Sequence, residues 1–173
     1  MLKTVKEVQS LNGKVVALNR FVSRVTNKCL PFFRVLRKSF EWTTECQQTF
    51  DDLKAYLSSP PLLSLFKPRE ELFLYLAFCL ATISTALVRE EDGAQKPIYF
   101  ISRVLRGAEE WYPQMEKLAF ALVTTAQKFK PYFQVHTVIV LTDKPLRRAM
   151  SSPEAIGRIA LWAVELSEFD IQY

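Results

Sequence analysis

The sequence predicts an α/β protein in which a helical N-terminal segment precedes a mixed sheet, in the order strand, strand, strand, helix, strand, helix, strand. Three observations predict it. Apolar residues recur with helical spacing through the first 59 residues, and from residue 71 the pattern changes to that of strands. Residues 113–129, PQMEKLAFALVTTAQKF, place Met115, Leu118, Leu122, Ala126 and Phe129 on one helical face, while Ala119, Phe120, Ala121 and Val123 fill the other sides. Such a helix needs burial nearly all round, with a sheet on one side. The run Val138, Ile139, Val140, Leu141 follows it and reads as a strand buried on both faces, parallel to a neighbour because a helix connects them.

The elements follow in order. Thr4 with Glu7 three residues later has the pattern of a capping box, and Val5, Val8, Leu11, Val15, Leu18 and Val22 then line one face of a first helix. Asn12-Gly13 is a weak point in its middle, a break or a close packing point. A second helix over residues 27–38 contains Pro31, which lacks an N–H and must start or kink it. Thr43 and Thr44 precede a third, running to Leu57, with Cys46, Phe50, Leu53 and Leu57 on one side and Gln47 placed to complete a box with Thr44. Ser58-Ser59-Pro60-Pro61 ends it. Residues 60–70 read as a linker between a helical unit at 1–59 and a second unit at 71–173. In that unit strands are predicted at 72–78, 83–89 and 97–104, with Glu91-Asp92-Gly93 as one hairpin turn and residues 80–82 as another. Helices at 145–150 and about 155–167 and a strand at 169–173 complete the chain.

Composition excludes several classes. With 49% hydrophobic and 13% aromatic residues the chain can build a core, and no apolar run reaches the roughly 20 residues of a membrane span. Cys29, Cys46 and Cys79 are far apart and match neither a disulfide framework nor a zinc pattern. They read as reduced thiols of an intracellular protein, cytoplasmic or nuclear, without a signal peptide or membrane partner. The net charge of +5 is unevenly spread, since residues 1–38 hold nine Lys and Arg against one acid, Glu7. Lys14, Arg20, Arg24 and Lys28 are therefore candidate contacts to a nucleic-acid backbone, the alternative being a solvated helix face.

Four stretches carry a resemblance: FEWTTECQQTFDDLKAYLSSPPLL (residues 40–63), KPIYFISRVLRGAEEWYPQMEKLAFALV (96–123), VLTDKPL (140–146) and ELSEFDIQY (165–173). Together, and in this order, they resemble the polymerase polyprotein of Ty3/Gypsy retrotransposons, particularly plant elements. The resemblance covers essentially the whole chain. It implies a ribonuclease H-like fold for the sheet unit, ending before that fold's final helix, and the end of a reverse transcriptase thumb and connection for the helical unit. It further implies RNA-directed DNA polymerase and RNA/DNA hybrid endonuclease activity in the complete polyprotein, Mg2+ as cofactor, and an RNA/DNA hybrid and the remainder of the polymerase as partners.

Hydrolysis by that family needs four carboxylates to neutralise two divalent ions held about 4 Å apart. Matched residue by residue, the first acid falls at Ala77 and the second, early in the central helix, at Leu118. The third is matched by Asp143, and the fourth lies in a helix beyond Tyr173. Asp143 is thus the single candidate catalytic and metal residue, with a helix N-cap ahead of Lys144-Pro145 as its alternative role. Glu116 is expected to face solvent in the first helical turn, and His136, the one histidine, has no catalytic constellation around it. Asp51-Asp52 lies inside a helix and reads as a solvated face rather than a polymerase metal site. The expectation is a catalytically degenerate domain with residual nucleic-acid binding. Two alternatives stay open, an active nuclease with displaced carboxylates and a silent protein-interaction domain.

Overall fold

The computed structural model describes residues 4–18, 22, 25–37, 41–59, 63–152 and 157–173. The helical part comprises α1 (Val5–Ala17), α2 (Val25–Lys28), α3 (Leu30–Arg37) and α4 (Thr44–Ser58). The capping box at the start of α1 is formed: the Thr4 N–H donates to Glu7 Oε2 at 3.0 Å and the Glu7 N–H to Thr4 Oγ1 at 3.2 Å. The helix passes through Asn12-Gly13 without a break. The second predicted helix is two, interrupted at Cys29, because Pro31 in the first turn of α3 cannot donate back to the preceding turn. Capping of α4 also differs from expectation. Thr43 is the N-cap, accepting from the Cys46 N–H at 3.3 Å, while Gln47 accepts from the Trp42 indole at 3.0 Å and donates to Asp51 at 2.9 Å instead of closing a box with Thr44. Val8, Val15, Phe32, Trp42, Cys46 and Leu53 form the core of these helices, with Trp42 stacked on Phe32. Burial there pushes the Cys29 thiol up to about 11.

The sheet has five strands, β1 (Leu72–Phe78), β2 (Thr82–Glu91), β3 (Ala94–Val104), β4 (Val138–Leu141) and β5 (Ile171–Gln172), in the order β3-β2-β1-β4-β5. The first three are antiparallel, and β4 is parallel to both β1 and β5. β2 and β3 run further than the sequence pattern suggested, because the turn between them is only Asp92-Gly93, both at positive φ (55° and 73°) as a two-residue hairpin requires. Pro97 is accommodated in β3, an edge strand whose outer N–H groups need no partner, next to a register shift between Leu87 and Val88.

Helix α5 (Gln114–Lys128) is the crossover between β3 and β4, preceded by a 3-10 turn at Gly107–Trp111 and followed by short α6 (Lys130–Phe133). Leu118, Leu122, Val123 and Ala126 pack on Leu72, Leu74, Val138 and Val140, each large side chain contributing about 1.5–3 kcal/mol. Helices α7 (Leu146–Ser151) and α8 (Arg158–Leu166) extend this layer. β4 is not buried on both faces. Val138 and Val140 turn to α5 and are buried, whereas Ile139 and Leu141 are half-buried on the opposite face, where no described helix covers them.

Residues 63–70, within the segment read as a linker, run against the sheet unit. The Ser64 N–H donates to Pro97 O at 2.8 Å on the outer edge of β3, Phe66 packs edge-on against Tyr132 and His136, and Glu70 accepts from buried Arg89 at 2.9 Å. Residues 60–62 lie outside the described residues.

Candidate nucleic-acid site

β1 and β4 are parallel neighbours while β2 leaves β1 on its other side, so their carboxyl ends form the switch point at which an open α/β sheet presents its loops. Pairing of Leu72 with Val138 and of Tyr75 with Leu141 fixes the register, and extending it by two residues sets Ala77 opposite Asp143. The pairing itself ends at Tyr75 and Leu141, so both positions lie beyond it, at the carboxyl ends of neighbouring parallel strands.

The side chains there do not assemble a metal centre. Asp143 is 83% exposed and its carboxylate pairs with the adjacent Lys144 at 3.2 Å. It is no helix cap either: α7 begins at Leu146 with Pro145 as its N-cap, and the turn before it is held by Thr142 Oγ1 accepting from the Lys144 N–H at 3.2 Å. Leu118 is 2% exposed and part of the core cluster. Glu116 does not face solvent as expected. Its Oε2 accepts from Arg158 Nη2 at 2.8 Å and Nε at 3.1 Å, which joins α5 to α8. Among the described residues no three His, Cys, Asp or Glu side chains converge to hold a metal. A methyl, a buried isobutyl group and one hydrated, lysine-paired carboxylate do not fit two Mg2+ ions.

His136 is buried, its Nδ1 2.9 Å from Glu70 O and its Nε2 without a partner. It fastens the chain before β1 and takes no part in the switch point. Of the N-terminal candidates, Lys14 is exposed and Lys28 is exposed with its ammonium 4.1 Å from the centre of the Tyr56 ring, whereas Arg20 and Arg24 lie outside the described residues. Asp51 and Asp52 are exposed on α4 and accept from Gln47 and Gln48 one turn earlier.

Sequence reasoning passed over two cationic features. One is Lys117, buried, whose Nζ donates to Leu80 O at 3.0 Å just beyond β1. Nothing in the sequence marks it, because a lysine in a first helical turn normally faces water. The other is the trio Lys144, Arg147 and Arg148, all exposed, whose density in five residues could have been read as a signal.

The chain is of the class of open, mixed α/β sheets, with α5 as the crossover helix. The family is given by residues 42–140, which match the model of the RNase H-like domain found in reverse transcriptase; the chain belongs to that family. It is similar to the retrovirus-related Pol polyprotein from transposon 412 of Drosophila melanogaster, 27% identical over 159 residues, covering 88% of this chain and 12% of that polyprotein. The transposon Tf2-3 polyprotein of Schizosaccharomyces pombe is 22% identical over 178 residues, covering 98% of this chain and 13% of its own length. The chain thus spans about an eighth of these relatives. Among solved structures, the foamy viral protease-reverse transcriptase in complex with RNA/DNA hybrid superposes with a TM-score of 0.75 at 20% identity, covering 99% of this chain and 25% of that one. A complex of the same enzyme with dsDNA gives 0.76 at 20% identity, over 99% and 38%. No described helix is long and apolar enough to cross a membrane.

Proposed function

We propose that this chain is the thumb-to-connection end and RNase H-like portion of a retrotransposon polymerase polyprotein of the Ty3/Gypsy, plant type, in which the RNase H-like unit no longer cleaves and serves to bind nucleic acid. Residues 1–59 correspond in this reading to the thumb and connection and residues 71–173 to the RNase H-like unit. The observation that carries it is the state of the three positions where the resemblance puts acids within this chain. Ala77 has no ligand atom, Leu118 is part of the core, and Asp143 stands in solvent beside Lys144. A single exposed carboxylate holds Mg2+ weakly and cannot hold two ions. Nucleic-acid binding is supported by the family to which the chain belongs and by the one-sided charge of residues 1–38.

The test is a hybrid-cleavage assay on the purified chain with Mg2+ or Mn2+. No metal-dependent product is expected, and Asp143→Asn should behave like the unmodified chain. Metal-dependent cleavage that disappears in Asp143→Asn would overturn the reading and make the chain an active nuclease with displaced ligands.

A further inference from the structure

Residues 63–70 are held to the sheet unit unequally along their length. Residues 67–70 form a tight turn with polar ties on all sides. The Lys67 N–H donates to Glu70 Oε1 at 2.5 Å, the Lys67 ammonium meets Glu91 at 2.6 Å, and Glu70 Oε2 accepts from buried Arg89 at 2.9 Å. Arg69 in this turn holds φ at 60°, a left-handed conformation that costs a non-glycine residue energy and persists only where its surroundings fix it. The half before it has far less. The Ser64 N–H donates to Pro97 O at 2.8 Å, and Leu65 is 79% exposed. Phe66 is 41% exposed, although its ring centre lies 4.8 Å from that of Tyr132 and 5.4 Å from that of His136.

The contact with His136 carries a cost. The imidazole is 3% exposed, and because a carbonyl oxygen only accepts, its Nδ1 carries the proton given to Glu70 O at 2.9 Å. In the neutral ring Nε2 then presents a bare lone pair, and it is buried without a partner. A polar atom that has lost water and gained nothing opposes the arrangement that buries it. Phe66 stands edge-on against this imidazole and itself reaches solvent, so its departure opens the ring to water. One hydrogen bond and two ring contacts close residues 63–66 on the sheet; an orphaned acceptor opposes them.

We propose that residues 63–66 are a latch that opens and closes on the sheet, while residues 67–70 stay fixed as its pivot and the strands stay paired. Closed, Phe66 seals the imidazole of His136 and Ser64 holds the Pro97 carbonyl. Open, both the Nε2 atom and that carbonyl are hydrated. The opening breaks few contacts and exposes little surface, so it is far more frequent than unfolding of the sheet. It is independent of whether the chain binds nucleic acid.

His136 is the one histidine of the chain, which makes it a clean reporter. The test is the rate at which diethyl pyrocarbonate, a reagent for the bare imidazole nitrogen, modifies the full chain, followed by mass spectrometry in urea below the unfolding transition. The folded chain should react more slowly than the urea-unfolded chain, at a rate nearly flat in urea, because a local opening exposes little surface. Ser64→Pro removes the donated N–H and Phe66→Ala removes the ring, and each should raise the rate about fivefold or more. Circular dichroism and the urea midpoint show whether the sheet has stayed folded in each variant. A rate that climbs with urea as steeply as global unfolding overturns the latch, since His136 then reacts only when the sheet unfolds. So does a rate left unchanged by either variant, a gain matched by the fall in a variant's own global stability, or a folded chain as reactive as the unfolded one.

Discussion

Leu118 and Glu91 illustrate how single side chains decide what this molecule tolerates. Leu118→Glu would introduce a carboxylate at a 2% exposed position among Leu72, Leu122 and Val140, with no cation within the cluster to accept it. A loss of about 3 kcal/mol or more in urea unfolding is the expected outcome, so this change alone should damage the fold before it restores a ligand. Ala77→Asp, at a half-buried strand end, should fold and still cleave nothing in the hybrid assay. Glu91 is the opposite case, since it gains from being charged. Hydrogen bonds from Lys67 and Lys96, with the nearby Arg89 charge, hold its carboxyl at about 2 against an ordinary 4.5. A depressed folded value means that its contribution is complete above pH 4.5 and is lost as pH falls towards 2. Thermal unfolding followed across that window should fall more steeply for the unmodified chain than for Glu91→Gln. The burial of Leu118 was legible from helical spacing. The role of Asp143 was not legible, because whether it caps depends on where α7 begins, and Pro145 moves that start to Leu146.

At the level of elements, strand and helix identity followed from hydrophobic period, and the departures have local causes. The break at Cys29 turns on the missing N–H of Pro31, and the shift of the α4 cap to Thr43 on which side chain reaches an unpaired backbone N–H first. The 3-10 turn at Gly107–Trp111 and the four-residue α6 are too short to leave a periodic trace. Two glycines make the energetics of elements measurable. Gly13 lies inside α1, and a Cβ there would meet nothing within 4 Å, so Gly13→Ala should stabilise by about 0.5–1 kcal/mol. Gly93 holds φ at 73° in the β2–β3 turn, and Gly93→Ala should cost about 1 kcal/mol although the space around it is equally open. Chemical denaturation of the two variants should move the midpoint in opposite directions.

The whole molecule joins a helical part to a sheet part where α2 approaches β3, and the segment before β1 is bound to the sheet unit rather than merely spanning a gap. That attachment was hidden in the sequence, since a Pro-containing stretch reads as a spacer and the ties of Ser64, Phe66 and Glu70 are all to residues far along the chain. It also bears on how the molecule avoids its own copies. An 11-residue edge strand such as β3 offers a row of backbone groups to any passing chain, whereas β5 at the other edge is only two residues long and offers little. By occupying the Pro97 carbonyl, Ser64 keeps part of that row covered, and the missing N–H of Pro97 spoils the remainder of the template there. A chain that starts at residue 71 would lose this cover and should self-associate with rising concentration in light scattering, while one that starts at residue 63 should stay dispersed. The short strap ahead of the first strand thus acts as a guard against edge-to-edge aggregation.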